Sequence, residues 1–209
     1  PCCGVSCSLL VESSAKRRDW PQLAVFVQEL ESTPMADRKL YNMLINILWN
    51  SGRKFDAVHF LLKAIENGLY IDAAKPQRNK DGQLRLDLHG LSVGAAKART
   101  AMWLVELQGM LMEGRTLEPH MSLALVTGRG LHSSETVEGS LLTPALLSWL
   151  GGMDSPFEVD PDNPGALLCT WSKAEGWVAA LQKNHLLEQL EDNQDMQTPE
   201  SEQVPQVQQ

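Results

Sequence analysis

The sequence has no uninterrupted apolar run of the roughly 18 residues that a membrane-crossing helix needs, although 43% of its residues are hydrophobic. No membrane partner is expected. Cysteine is scarce, and its placement excludes more than its number does. Cys2, Cys3 and Cys7 crowd the start and Cys169 stands alone, which suits neither a disulfide framework nor paired Cys-x-x-Cys zinc ligands. Free thiols in a reducing compartment are expected. An excess of basic charge is missing too: 18 Lys and Arg face 26 Asp and Glu, a net charge of −8. A nucleic-acid binder draws most of its non-specific affinity from Lys and Arg on phosphates. The deficit is uneven, however. Lys plus Arg against Asp plus Glu number 11 and 8 in residues 1–80, 5 and 7 in 81–150, and 2 and 11 in 151–209. The acid gathers at the far end.

What is present divides into segments. The 209 residues suffice for one domain or for two small ones with a tail. The chain opens on Pro1 inside what reads as a folded repeat, so it is expected to be a fragment, with any leader peptide upstream. Residues 1–72 carry a helical pattern. Leu40, Leu44, Ile47 and Leu48 mark one apolar face and Ala57, Phe60, Leu61, Ala64 and Ile65 a second, parted by the turn "NSGR", Asn50 to Arg53. A looser copy of this hairpin runs from Leu9 to Glu31, and a period near 34 residues predicts an α-solenoid fragment.

Residues 73–83, "AAKPQRNKDGQ", read as a linker. In residues 84–190 the period changes. "LRLDL" alternates and meets Ser92, an N-cap for a helix whose apolar face runs Val93, Ala96, Thr100, Leu104, Leu107 and Leu111. "MSLALV" reads as a buried strand, "LLTPALLSWL" as a second helix, and "SPFEVD" and "ALLCTW" as strands joined by "PDNPG". The order βαβαββ predicts a small two-layer α/β domain, with Ala174 to Leu190 as a further helix. Residues 191–209 are acidic, polar and Pro-interrupted, the composition of a disordered tail.

The stretch "RKLYNMLINILWNSGRKFDAVHFLLKAIENGLYID", Arg38 to Asp72, resembles a pentatricopeptide repeat, a helical unit that reads RNA bases one per repeat. "YNMLI", the Gly52-Arg53 turn, Ala57 and the closing "NGLYID" fall at that family's characteristic positions. The resemblance implies that Asn42 and Asp72 are the pair that faces a base, with a preference for uracil. An amide can both donate to and accept from a base edge, and an acid can orient it. The plainer role for these two residues is capping and turn formation.

Further on, "LDLHGLSVGAA" and "LVTGRGLHS", with Trp103-Leu104 and "SPFEVDPDNPG", resemble the small MutS-related (Smr) domain, in the form that follows pentatricopeptide repeats in plants and algae. That resemblance implies binding or endonucleolytic cleavage of nucleic acid, RNA above all and DNA as a further substrate. It places the protein in a plastid or mitochondrion.

Its site would join two loops. Asp87 ends the first strand and His89 follows it; Gly128 and Gly130 follow the second strand and would let backbone amides approach a phosphate. Thr127 would donate its hydroxyl, Arg129 would clamp the phosphate, and His132 with His89 and Asp87 would handle protons. Arg129 stands where the organellar branch carries an aromatic; it can stack on a base and add a phosphate contact. No metal cluster of settled spacing is visible, although Asp87 and His89 are able to hold Mg²⁺ loosely, so no cofactor is required by the pattern. The bland alternative gives Asp87 and His89 to loop and cap bonds and the glycines to tight turns.

Trp49, Trp103, Trp149, Trp171 and Trp177 are expected in the core rather than as base platforms. His59, His120 and His185 show no ligand pattern, Lys16-Arg17-Arg18 reads as a solvated turn, and Ser133 and Ser134 lack an arranged base. Two functions compete. One is an organellar RNA-processing factor whose repeats select single-stranded RNA and whose α/β domain grips or cuts it. The other is a non-catalytic adaptor whose helical repeats dock a protein partner.

Overall fold

The computed structural model describes residues 37–80, 82–128 and 138–181, preceded by the isolated positions Ser13, Ser14, Arg17, Gln22 and Val25; the side chains of 138–140 lie outside the description. Most of the expected first repeat, the acidic tail, and the segment with Arg129, Gly130 and His132 fall outside the described residues. Helix α1 (Arg38–Asn50) starts because Asp37 caps it, accepting from the Leu40 amide at 2.9 Å. It stops where Gly52 takes φ +82, which lets the Gly52 and Arg53 amides return to the carbonyls of Trp49 and Leu48. α2 (Lys54–Glu66) folds back along it, burying Ala57, Leu61 and Ala64 against Tyr41, Leu44, Ile45 and Leu48. This is the hairpin that the "NSGR" turn announces.

The expected linker is structured. It takes in the end of the short helix α3 (Ile71–Ala74) and the edge strand β1 (Gln77–Arg78), which pairs antiparallel with β2 (Leu84–Asp87) just beyond it. The turn between them is closed by Asn79, whose side chain accepts from the Gln83 amide at 2.8 Å. Two paired residues are too few to leave a periodic signal in the sequence.

Beyond β2 come α4 (Val93–Met112), β3 (Ser122–Val126), α5 (Glu138–Gly151), β4 (Glu158–Asp160), β5 (Asn163–Thr170) and α6 (Trp171–Ala180). From β2 to β5 this is the expected βαβαββ order. The sheet runs β1-β2-β3-β5-β4, with β2 and β3 parallel and β3, β5 and β4 antiparallel. Leu86, Leu125 and Leu167 align across the three central strands and are fully buried. The helix expected from Ala174 begins at Trp171, three residues earlier, and its expected end at Leu190 lies outside the described residues. Trp171 Nε1 donates to Thr116 Oγ1 at 2.8 Å.

Helix α4 explains how the halves meet. It buries Gly94, Ala95, Ala96, Ala98, Trp103, Leu104 and Leu107, more than one apolar stripe. A helix apolar on several sides is one covered on several sides: α1 and α2 pack on it, and so do α5 and α6. A single hydrophobic core therefore runs from Tyr41 to Leu181. Trp49 of α1, within that core as expected, meets Trp149 of α5, half-buried against it, edge-on at 6.1 Å between ring centroids. Arg99, only 1% exposed, ties the connection down by donating from Nε to the Ala73 carbonyl at 2.7 Å and from Nη2 to that of Ala74 at 3.3 Å. Burial lowers the pKa of Arg99 and Glu106, 3.3 Å away, opposes that shift. Among the described residues, no helix is long and apolar enough to cross a membrane.

Candidate nucleic-acid interface

Parallel pairing of β2 and β3 sets Asp87 opposite Val126, so both strands end at the same edge of the sheet. The Leu88 amide bonds the Val126 carbonyl at 2.7 Å, and the chain then turns through Gly90 at φ +76. Within that turn Asp87 Oδ1 accepts twice, from the His89 amide at 3.0 Å and from His89 Nδ1 at 2.7 Å. An ionised carboxylate only accepts, so Nδ1 is the nitrogen that donates to Asp87 and Nε2 is the one directed away from it. Gly128 follows β3 at φ +85, and a Cβ there would lie 3.4 Å from that of His89. The two corners are adjacent. Asp87, His89 and Gly128 are brought together.

The second corner is otherwise employed in a way the sequence does not reveal. Thr127, expected to offer its hydroxyl to a phosphate, is 2% exposed, with Oγ1 2.9 Å from the Gly165 carbonyl and 2.6 Å from Thr143 Oγ1. The Thr127 and Gly128 amides also point to the Gly165 carbonyl, at 2.8 and 3.2 Å. These donors join β3 to β5 instead of facing a ligand. The reason is the neighbouring antiparallel strand, which the β3 motif alone does not announce.

Asn42 is the larger departure. Instead of presenting a free amide to a base, it donates from Nδ2 to the Gly90 carbonyl at 2.7 Å. Its Oδ1 accepts from the Ser92 amide at 2.7 Å and the Tyr70 hydroxyl at 3.0 Å. Ser92 Oγ returns the contact to the Asn42 carbonyl at 2.9 Å. One helical turn on, Asn46 Oδ1 accepts from the Gly94 amide at 2.9 Å. The two asparagines and the Ser92 cap thus satisfy the amides of Ser92, Gly94 and Ala95 at the start of α4. Burial holds the Tyr70 phenol well above its ordinary pKa, keeping it a neutral donor.

Asp72, the other expected base-facing residue, lies with Oδ2 3.9 Å from His89 Nε2. His89 and Asp72 are 50% and 59% exposed, while Asp87 is 31% exposed. The imidazole stands between two carboxylates that address opposite ring nitrogens, and one ion cannot be ligated by all three. Among the described residues, no group of three or more His, Cys, Asp or Glu is placed to hold a metal. Arg38, which no local sequence pattern marks, also reaches this turn. It is 52 positions from Gly90, and only the docking of the hairpin joins them.

The fold and site define a helical hairpin fused through one core to a small mixed-sheet domain, with a histidine–carboxylate pair at the strand ends. No family model matches the chain. It is 31% identical over 137 residues, 66% of its length, to the chloroplastic pentatricopeptide repeat-containing protein ATP4 homolog of Oryza sativa subsp. japonica. It is 30% identical over 146 residues, 70% of its length, to the chloroplastic ATP4 protein of Zea mays. A chloroplastic pentatricopeptide repeat-containing protein of Arabidopsis thaliana is 26% identical over 138 residues, 65% of the chain. These alignments cover 19%, 20% and 15% of the relatives, so the chain spans about a fifth of their length or less. The matches support a pentatricopeptide repeat protein.

Proposed function

We propose that the chain is the RNA-handling part of a plastid pentatricopeptide repeat protein, in which repeats select a single-stranded transcript and an Smr-type domain acts on its backbone. The observation that carries this reading is the Asp87–His89 pair, 2.7 Å apart at the end of β2 and beside Gly128, which follows the parallel neighbour β3. Three relatives named as chloroplastic pentatricopeptide repeat-containing proteins support the compartment and the repeat class, a class that reads RNA.

In cleavage, His89 Nε2 takes the proton of a 2′-hydroxyl while Asp87 holds Nδ1–H and the ring's orientation. The 2′-oxygen attacks phosphorus, the bond to the 5′-oxygen breaks, and the leaving oxygen regains a proton. The loop that continues from Gly128 through Arg129 and Gly130 to His132 would supply the phosphate clamp and the acid. A second reading, grip without cleavage, draws on the Thr127 and Gly128 amides: both are committed to Gly165 and leave the phosphorane without those donors. The adaptor role would be the limit of that reading.

The experiment is incubation of the chain with end-labelled single-stranded RNA and with DNA, in EDTA and in Mg²⁺, beside Asp87→Asn and His89→Gln. Cleavage leaving a 2′,3′-cyclic phosphate and lost in both variants supports the mechanism. Salt-dependent binding without cleavage assigns the gripping role, and absence of both leaves the adaptor.

A further inference from the structure

The described site has an unfavourable charge balance for its proposed ligand. Asp72 and Asp87 flank His89, so a phosphodiester beside that imidazole would meet two carboxylates. Like charges at such separations repel unless cations intervene. The hairpin brings one. Arg38, the first residue of α1, is exposed, and its Nη1 lies 3.2 Å from where a Cβ on Gly90 would stand. Its Nε donates to the Leu69 carbonyl at 2.9 Å, and its guanidinium carbon lies 5.9 Å from the centroid of the Tyr70 ring. The stem is held by one N–H and by the ring, and the Nη end of the fork is set against the turn that carries His89. Gly90 has no side chain to displace it. That turn is itself fixed to the hairpin by Asn42.

We propose that Arg38 is a backbone-phosphate contact of the strand-end site, so that a nucleic acid held beside His89 passes from the sheet edge onto the repeat hairpin. This rests on the RNA-binding reading above. A planar guanidinium anchored at Nε keeps its remaining N–H groups in one orientation, which suits a phosphate oxygen pair. It also places the repeats' end and the reacting phosphate on one continuous path. The hairpin then contributes to the site as a ligand, in addition to supporting it through Asn42.

The test uses the full chain, a short fluorescein-labelled single-stranded RNA of mixed sequence, and anisotropy at a series of KCl concentrations. Unaltered protein should show log affinity falling linearly with log salt. Arg38→Gln should flatten that slope by about 0.7, which makes the loss between 50 and 200 mM salt about 2.6-fold smaller. Arg38→Lys should keep the slope, and Lys39→Gln, removing the adjacent exposed charge, should keep slope and affinity. An unchanged slope in Arg38→Gln, or an equal loss in Lys39→Gln, overturns the proposal and leaves the RNA reading intact. Absence of salt-dependent binding in the unaltered chain overturns both. A measurement without substitution guards against misfolding: bound RNA should slow phenylglyoxal modification of Arg38 several-fold, and an unchanged rate refutes the contact.

Discussion

Replacing Gly94 by alanine places a methyl group 2.7 Å from Asn46 Cα, 3.1 Å from its Oδ1 and 3.1 Å from Trp49 Cβ. The nearest of these is backbone, which cannot rotate away. Relief requires α1 and α4 to separate by about 0.7 Å, the difference between 2.7 Å and the 3.4 Å at which ordinary contact begins. The same movement stretches the Gly94–Asn46 bond from 2.9 Å and the two Asn42 bonds from 2.7 Å toward the limit of hydrogen bonding. Overpacking of this kind costs ~1–3 kcal/mol, and weakened bonds add up to ~1 kcal/mol each. Against this, alanine is a better helix former by up to ~1 kcal/mol. A net loss of about 2 kcal/mol is expected. At a urea dependence of ~2 kcal/mol per molar it lowers the unfolding midpoint by about 1 M. Gly109, on the same helix, has nothing within 4 Å of a built Cβ, so Gly109→Ala should raise the midpoint through propensity alone. Equal or greater stability in Gly94→Ala would refute the close packing of hairpin on α4.

Asn42→Ala removes the partners of the Gly90 carbonyl and the Ser92 amide; it should cost ~1–3 kcal/mol in urea unfolding and speed amide exchange in the 88–92 turn. Arg99→Met keeps the apolar stem but strands the Ala73 and Ala74 carbonyls, with an expected loss of ~1–3 kcal/mol by the same measurement. Burial raises the Cys169 thiol from its ordinary 9.0 to about 11. The unfolded thiol ionises first, so the contribution of Cys169 is complete below pH 9 and lost as pH rises through about 11. Chemical denaturation from pH 8 to 11 should show this decline, and Cys169→Ala should lessen it; an identical pH profile in the variant would count against the buried thiol.

The hairpin, the Ser92 cap and the βαβαββ order are legible because each is local: apolar residues three and four apart, a glycine after the helix, alternation in a strand. The strand-end pair of Asp87 and His89 is legible for the same reason, being two residues apart on one turn. What the sequence conceals is the set of contacts across about 50 positions. Asn42 and Asn46 are polar residues one turn apart on a helix, and nothing local distinguishes a base-facing amide from one that bonds a distant loop. The glycine of "SVGAA" is the nearest hint, because a small residue at a helix start often marks another backbone close by. β1 leaves no signal, since two residues cannot display a period.

The shared core changes what the hairpin is for. Repeats in a solenoid draw stability from their neighbours, and one pair of helices buries too little to stand alone. Here α1 and α2 find a neighbour in α4, through Ala57, Leu61, Ala95 and Ala98 in one cluster. Docking also uses the two residues expected to face a base: Asn42 bonds the turn, and Asp72 approaches His89. On the proposed function, selection of a transcript would belong to repeats other than this hairpin, and the hairpin's attachment to α4 would set a fixed spacing to the strand-end site. Rigid attachment predicts cooperative loss. In denaturant, tryptophan fluorescence, which includes Trp49 at the hairpin junction and Trp103 in α4, should change in a single transition coincident with loss of helical circular dichroism. A separate early transition, with the α/β domain still folded, would show that the hairpin is an independent module and would remove the basis for a fixed spacing.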